Sequence, residues 1–314
     1  MIKYLSRQIR SFARNFFKVK KVSVIIPFHG EENELACSID TLLRQTSKDF
    51  EVIIVADHSK LSESIKKKFG QKSIPVKIIR NKRHVGTFQS RKRGAAHAKG
   101  KYLWFLDHDD AASEQFIEIM TSAAETAPAE VVECPFLMIP EAGEPWVHKR
   151  FSGAISWQEK DILKSYLRGG SNNSLANKII NRQLWNAAMA SIAVTTDESI
   201  IFAEDMLCIV YIYIKAKSYR SIEGVFYHYM YRSSSTTNST APTRIAQSAY
   251  SLESVLEKIK MPLLLHADQN DLRIFVDREV NGALKHLEQK ASVVSDIKID
   301  EFISSLRRRY VSEI

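Results

Sequence analysis

An apolar run ends in three carboxylates at Tyr102-Leu103-Trp104-Phe105-Leu106-Asp107-His108-Asp109-Asp110. Five consecutive apolar residues predict a buried strand, and acids that follow it lie where open α/β sheets bind ligands. Side-chain alternation along a strand would place Asp107 and Asp109 on one side and Asp110 on the other. Two convergent carboxylates suit a divalent cation that also contacts the phosphates of a substrate. A solvated acidic turn is the alternative interpretation.

Strands alternate with helices over the residues that precede this run. Strands are predicted at 22–27, 50–56, 76–79 and 101–106, and helices at 31–45, 62–69 and 90–98. Such alternation produces parallel strands joined by right-handed crossovers, so we predict an α/β fold with a mostly parallel sheet flanked by helices. The sequence contains no G-x-G-x-x-G or Walker A pattern, and phosphate binding by either of those loops is not expected.

The rest of the chain is less regular and ends in helices. The patterns predict helices at 111–126, 155–168 and 204–214, a strand at 131–138 and three amphipathic helices within 244–314. The Ser- and Thr-rich residues at 232–243 are interpreted as a substrate loop or a linker. We therefore divide the chain into a basic segment (1–20), a nucleotide-binding half (21–110), an acceptor half (111–235) and a C-terminal helical appendage (244–314). The appendage is expected to serve packing, homo-oligomerisation or membrane proximity.

The composition of the 314 residues, 45% hydrophobic and 26% charged, is that of a globular protein with a core. The cysteines Cys37, Cys134 and Cys208 lack metal-type spacing, which indicates a reducing compartment rather than a disulfide framework. No apolar run reaches the length of a membrane-spanning helix, so a cytoplasmic location is expected.

The formal charge of +9 has a strong contribution from the first residues of the chain. Residues 1–21 contain seven Lys and Arg residues and no acid, interleaved with apolar residues at near-helical spacing. A basic amphipathic helix of this kind binds an anionic membrane surface, here the inner face of the cytoplasmic membrane. Packing on its own domain or on a partner is the alternative, and nucleic acid is not expected as a partner.

Four segments occur in an order and spacing typical of one family: 22–28, Asp57-His58-Ser59, Gly86…Arg91…Gly94 and the acidic turn 107–110. Together, over residues 20–235, they resemble family 2 glycosyltransferases of GT-A fold. The resemblance implies inverting transfer of a sugar from a nucleotide-sugar donor, with a UDP-sugar favoured. The implied acceptor is a hydroxyl of a glycan or lipid-linked glycan, in bacterial surface polysaccharide biosynthesis such as that of lipopolysaccharide or capsule.

The resemblance places a nucleotide pocket in the first half of the chain, formed by Pro27, Phe28, His29, Asp57 and Arg91. Asp57 is expected to bind the base, since a carboxylate accepts the imide N–H of uracil. Arg91 is expected near the phosphates. The family often has two acids and a glycine where this chain has Ala56-Asp57-His58, so the detail of base recognition differs from the family pattern.

The acidic turn matches the D-x-D motif of the family. The resemblance therefore implies Mn²⁺ or Mg²⁺ on Asp109, with Asp107 contacting the ribose or the metal, and Asp110 near the donor sugar or the acceptor. His228 is a candidate metal ligand, and a structural histidine on a strand is the alternative.

The remaining assignments lie in the second half of the chain. Glu204-Asp205 resembles the E-D pair of the family, which implies Asp205 as the catalytic base and Glu204 as the group that holds or polarises it. Capping of a helix is the alternative for this pair. Lys178, in a segment resembling W-N-K, is expected on the acceptor side, and Arg232 in a flexible segment over the donor.

Two other functions stay open from the sequence. A sugar-phosphate nucleotidyltransferase shares the sheet and the metal acids, but normally has a glycine-rich basic loop where this chain has residues 28–32. A non-catalytic basic protein, peripheral on a membrane or bound to nucleic acid, would use 1–21 and 80–101. That protein would not need Asp107, Asp109 or Asp205.

Overall fold

The computed structural model describes residues 20–148, 154–193, 200–224, 226–231, 239–294 and 296–311. The predictions for the basic segment, apart from its last residue, and for Arg232 lie outside these residues. The strands, in chain order, are β1 (Val22–Phe28), β2 (Phe50–Asp57), β3 (Val76–Asn81), β4 (Tyr102–Phe105), β5 (Ala111–Ala112), β6 (Val131–Glu133), β7 (Phe136–Pro140), β8 (Trp146–His148), β9 (Ser156–Gln158), β10 (Lys178–Asn181), β11 (Ser218–Ser221) and β12 (Tyr227–Tyr231).

The α-helices are α1 (Ala36–Arg44), α2 (Ser64–Gly70), α3 (Gly86–Ala96), α4 (Phe116–Thr126), α5 (Lys160–Leu167), α6 (Arg182–Ala190), α7 (Glu204–Lys215), α8 (Pro242–His266), α9 (Gln269–Phe275), α10 (Asn281–Val294) and α11 (Ile297–Val311). A short 3-10 helix (Glu32–Leu35) precedes α1, and a π-helical turn (Val276–Val280) joins α9 to α10.

The main sheet has eight strands in the order β3-β2-β1-β4-β10-β6-β11-β9. The four strands predicted from the first third of the chain pair in parallel, with Val24 opposite both Val52 and Trp104. All seven residues of β1 are buried, because a central parallel strand covered on both faces is apolar throughout. The predicted mostly parallel sheet flanked by helices is confirmed, with β10 and β9 as antiparallel strands.

Several predicted elements differ from the structure. The helix predicted at 111–126 begins with strand β5, and the three helices predicted within 244–314 are the four helices α8 to α11. The single strand predicted at 131–138 is two strands, β6 and β7, in different sheets, since Pro135 has no N–H to continue a ladder. The helix predicted at 155–168 begins with strand β9, where Trp157 stacks on Tyr219 of β11 with ring centroids 4.6 Å apart. This aromatic pair favours the extended conformation at the edge of the sheet.

A second, four-stranded sheet has the order β5-β12-β7-β8 and was not predicted. Its first strand, β5, follows directly after the acidic turn 107–110. Strand β12 pairs antiparallel with β5 and parallel with β7. The small sheet therefore brings residues 227–231 beside the carboxyl end of β4.

The C-terminal helices are part of the main apolar core. Leu252 and Val255 of α8 and Leu284 of α10 belong to the same buried cluster as Leu207 and Val210 of α7. The region predicted as an appendage thus packs on the acceptor half of the sheet domain. No described helix is long and apolar enough to cross a membrane.

Candidate active site

A cavity of about 520 Å³ opens at the carboxyl ends of β1, β2 and β4. Parallel strands end together at this edge, which is where open α/β sheets bind ligands. Nine of the thirteen residues assigned to the site from the sequence line it: Pro27, Phe28, His29, Asp57, Arg91, Asp107, Asp109, Asp110 and Glu204.

Arg91 of α3 connects the acids of this cavity. Its side chain is 4% exposed, and Nη2 donates to Asp107 Oδ1 at 2.9 Å. Nη1 donates to Asp205 Oδ1 and lies 3.5 Å from Glu204 Oε1. Burial opposes the charge, but the three carboxylates outweigh it and raise the pKa of the guanidinium. Arg91 Nε has no hydrogen-bond partner within the described part of the chain. The acidic turn and the E-D pair are therefore held together by one cation.

Glu204 and Asp205 form the first turn of α7. Ala203, at φ 61°, turns the chain into the helix, and Asp205 Oδ2 accepts from Leu175 N at 3.2 Å. Burial and the neighbouring Asp205 charge raise the pKa of Glu204 to about 7, although Arg91 opposes the shift. Burial likewise raises the pKa of Asp205. Carboxyl groups with raised pKa values in a cavity are suited to proton transfer.

Glu204 lies on a wall shared by two cavities. The second cavity, of about 420 Å³, contains both carboxylates of the pair and reaches the π-helical turn and the start of α10. Phe202 also lines both cavities, whereas Asp205 lines only the second among the cavities found in the described residues. The pair thus separates two spaces large enough for two ligands.

The acidic turn points its carboxylates in different directions. Strand β4 ends at Phe105, so a turn rather than strand alternation sets these directions. Asp110 is 2% exposed and accepts from Tyr227 Oη at 2.7 Å and Met230 N at 2.8 Å. Burial, followed by the negative charges of Asp107 and Asp109, raises the pKa of Asp110 to about 8.

Asp107 and Asp109 are the residues of this cavity that fit a divalent cation. Burial is the main cause of the raised pKa of Asp110, and the charges of Asp107 and Asp109 add to it; a cation bound to those two carboxylates would relieve this second contribution. No cluster of three or more His, Cys, Asp and Glu side chains with metal-binding geometry is found in the described ranges. Mg²⁺ or Mn²⁺ can be held by as few as two carboxylates, because phosphates and water complete its oxygen shell.

The structure places His228 on strand β12 of the small sheet. Alternation along β12 directs Tyr227 and Tyr229 to one side and His228 to the other. His228 Nε2 lies 3.4 Å from Ser113 Oγ, and burial lowers the pKa of the imidazole. His228 does not line either of the two cavities described above, and its role as a metal ligand stays a prediction.

The structure places Lys178 in the interior, and its expected role on the acceptor side stays a prediction. Its side chain is 0% exposed and lies 3.4 Å from Glu133 Oε2. The ammonium donates to Asn172 Oδ1 at 2.9 Å and to Asn177 Oδ1 at 3.1 Å. Lys178 thus supports the loop at 172–177 from beneath and does not line either cavity.

The Asp57 carboxylate is hydrogen-bonded to neighbouring groups of the protein. It is 2% exposed, and its carboxylate accepts from the amides of Val85 and Gly86 and from Asn81 Nδ2 at 2.8–3.1 Å. His84 Nδ1 lies 2.9 Å from the same carboxylate. The prediction that Asp57 binds a base stays a prediction, and it requires that one of these contacts be exchanged for the base.

Two imidazoles cover Asp57 at the mouth of the pocket. The rings of His29 and His84 lie 4.2 Å apart between centroids, and His29 Nδ1 is 2.7 Å from the Asp57 carbonyl oxygen. His58 adopts φ 59°, a left-handed conformation that favours glycine.

Sequence reasoning missed the contribution of the C-terminal helices to the cavity. Arg244 and Ser248 of α8 and Lys290 of α10 line it. It also missed Glu133, a fully buried acid that accepts hydrogen bonds from Ser171 and Tyr219. An acid at the end of the apolar strand 131–133 was a visible signal for a buried polar network.

The comparisons with known proteins agree with this geometry. The sequence profile of Glycosyl transferase family 2 matches residues 23–188. An uncharacterized glycosyltransferase of Haemophilus influenzae is 36% identical over 107 residues, which cover 34% of this chain and 35% of that protein. A cholesterol galactosyltransferase of Borreliella burgdorferi is 26% identical over 262 residues, covering 80% of this chain and 70% of that protein. The matches to the first three curated relatives span about a third of each relative's length.

Solved structures share the fold. Staphylococcus aureus TarS 1–349 superposes with a TM-score of 0.56 at 16% identity, over 93% of this chain and 88% of that chain. The mannosyltransferase PcManGT from Pyrobaculum calidifontis, in complex with GDP-Man and Mn²⁺, gives 0.54 at 13% identity, over 92% and 80%. At these identities the likeness establishes the architecture alone.

Proposed function

The chain belongs to glycosyl transferase family 2 and is a glycosyltransferase of GT-A fold, and from that premise we propose that it is a metal-dependent, inverting enzyme. The donor is a nucleotide sugar, with a UDP-sugar favoured, and the acceptor is a hydroxyl of a glycan or lipid-linked glycan. The observation that carries this proposal is the Arg91 bridge between the acidic turn and the E-D pair. Family membership argues against the nucleotidyltransferase and the non-catalytic alternatives.

The donor occupies the larger cavity in this proposal. The nucleotide lies toward His29 and His84, and the diphosphate lies toward the acidic turn. A TarS structure contains UDP-GlcNAc, which supports a uridine nucleotide. Mn²⁺ or Mg²⁺ on Asp109 and Asp107 would neutralise charge that develops on the leaving diphosphate. Arg91 holds Asp107 in position for that role.

The acceptor enters from the second cavity, where Asp205 faces it. Asp205 takes the proton of the acceptor hydroxyl as that oxygen attacks the anomeric carbon. Glu204 lies on the wall shared by both cavities, between the donor and the acceptor, and polarises Asp205. A lipid-borne acceptor is supported by the resemblance to a cholesterol galactosyltransferase over 80% of this chain. Surface polysaccharide assembly is the pathway we expect.

Calorimetry of UDP binding with and without Mn²⁺ tests the donor and metal parts of this proposal. We expect Mn²⁺ to strengthen UDP binding to the native protein and to have little effect on Asp109→Asn. Asp205→Asn should retain UDP binding and lose transfer or donor hydrolysis by about 10²-fold or more. Equal affinity of the native protein with and without Mn²⁺ would contradict the metal, and near-native turnover of Asp205→Asn would contradict the base.

A further inference from the structure

Two cations from the C-terminal helices face the same cavity as the acidic turn. Arg244 lies in the first turn of α8, and Lys290 lies in α10. Both side chains are partly buried, and both line the cavity together with Arg91 and Asp109. Neither helix belongs to the region matched by the family profile, residues 23–188. This wall of the cavity therefore comes from a C-terminal region that the family profile does not cover.

Burial and mutual repulsion disfavour the charged forms of Arg244 and Lys290. Burial, and then the charge of Arg244, lower the pKa of Lys290. Burial lowers the pKa of Arg244 too, while Glu204 is the acid that opposes this shift. The Arg244 guanidinium makes no hydrogen bond or salt bridge to any residue that the structure describes. Two like charges brought together on a cavity wall are stabilised when an anion binds between them.

The surroundings of Arg244 add further groups suited to an anion. The helix that begins at Pro242 is 25 residues long, and Arg244 is its third residue, so it lies at the positive end of the helix dipole. Ser248, one turn further along, contributes a hydroxyl to the same cavity. Arg244 is also close enough to His84 that its charge lowers the pKa of that imidazole. The cation thus lies between the nucleotide side of the cavity and Glu204.

We propose that Arg244 and Lys290 form a phosphate-binding subsite, supplied by the C-terminal helices, on the wall of the donor cavity. This inference rests on the proposed glycosyl transfer, since it names two side chains that hold a phosphate in that cavity. The phosphate belongs either to the diphosphate of the donor or to a phosphorylated acceptor. A guanidinium donates two parallel hydrogen bonds to phosphate, and the ammonium adds a point charge.

Titration calorimetry on the full chain in Mn²⁺ tests the subsite. The variants are Arg244→Gln, Lys290→Gln and the charge-preserving Arg244→Lys, and the probes are UDP, uridine, and inorganic phosphate in the presence of saturating uridine. Lys285→Gln, an exposed lysine on the same helix as Lys290, is the matched control. Circular dichroism and thermal melting establish that each variant is folded.

If the subsite binds the donor diphosphate, Arg244→Gln and Lys290→Gln lower the affinity for UDP about tenfold or more and leave the affinity for uridine unchanged. If it takes a phosphate on the acceptor, UDP affinity is unchanged, and the inorganic phosphate that binds beside uridine in the native protein no longer binds the variants. In both cases the affinity of Arg244→Lys for the probe lies between those of the native protein and Arg244→Gln. The affinity of Lys285→Gln equals that of the native protein.

The subsite is overturned if folded Arg244→Gln and Lys290→Gln bind every probe within twofold of the native protein. It is also overturned if the affinity for uridine falls as much as the affinity for UDP. The two side chains would then act on nucleoside binding or on the fold. Failure of the proposed function gives a different result, in which the native protein itself does not bind UDP in the presence of Mn²⁺.

Discussion

Arg91 Nη2 and Asp107 Oδ1 lie 2.9 Å apart, and this hydrogen bond joins helix α3 to the acidic turn. The other terminal nitrogen of the same guanidinium donates to Asp205. Because the guanidinium is planar and rigid, a movement of Asp107 shifts the hydrogen bond to Asp205 as well. The predictions below follow from this arrangement and from the packing around it.

We expect Arg91→Lys to lower kcat/KM by about 10²-fold, because an ammonium cannot span Asp107 and Asp205 as a guanidinium does. The free energy of unfolding should fall by about 1–3 kcal/mol, since three half-buried carboxylates lose the guanidinium that contacts them all. Initial rates and urea denaturation measure the two effects. Lys99→Ala, at an exposed position beyond the end of α3, should change neither. Turnover of Arg91→Lys within threefold of native would show that the bridge is dispensable.

The raised pKa of Glu204 predicts a pH dependence of stability. Its folded value of about 7 lies above the ordinary 4.5, so the folded state binds the proton more tightly. This contribution is fully present below about pH 4.5 and is lost as the pH rises through 7, with a slope of at most about 1.4 kcal/mol per pH unit. In metal-free urea denaturation, native protein should lose stability relative to Glu204→Gln between pH 5 and 7. Parallel curves for the two proteins would contradict the shift.

The hydroxyl of Tyr227 anchors the small sheet to the acidic turn through Asp110. We expect Tyr227→Phe to lower the free energy of unfolding by about 1–3 kcal/mol, because Asp110 stays buried with one donor fewer. The pKa of Asp110 should also rise, since this hydrogen bond lowers it. Chemical denaturation checks the first effect, and NMR titration of the carboxyl checks the second. Tyr231→Phe, on the same strand but 46% exposed, is the control and should match native.

Gly94 lets α3 approach the sheet closely. A Cβ there would lie 2.5 Å from Ile25 Cγ2 and 3.1 Å from Val55 Cγ2, which are core atoms of β1 and β2. We expect Gly94→Ala to destabilise the protein by about 1–3 kcal/mol through overpacking. Gly70→Ala, where nothing lies within 4 Å of the new atom, should be neutral or slightly stabilising. Thermal denaturation measures the melting temperatures of both variants. Equal melting temperatures would mean that α3 can shift outward to make room for the Cβ.

The nucleotide-binding half was predictable because its elements are local. Each of the strands from β1 to β4 is a short apolar run with its own stop, such as Asp57 after β2 or the acidic turn after β4. The small sheet was not predictable, since β5 has two residues and β8 has three. Strands this short carry no periodicity and form only when tertiary pairing supplies their partners.

The same distinction applies to the site. The order of the acids in the sequence was enough to place Asp107, Asp109 and Glu204 in one cavity. The burial of Lys178 depends on Glu133 and Asn172, which approach it only in the folded chain. Arg244 is one basic residue among many in the sequence. Its position on the cavity wall follows from how α8 packs on α7.

The shared core of α7 and the C-terminal helices also limits how the protein can be shortened. A fragment ending near residue 235 would keep every acid of the acidic turn and the whole region matched by the family profile. It would expose Leu207 and Val210 to water where Leu252 and Val255 now pack, and we expect it to aggregate. The smallest unit that folds is therefore larger than the smallest unit that is recognisable by sequence.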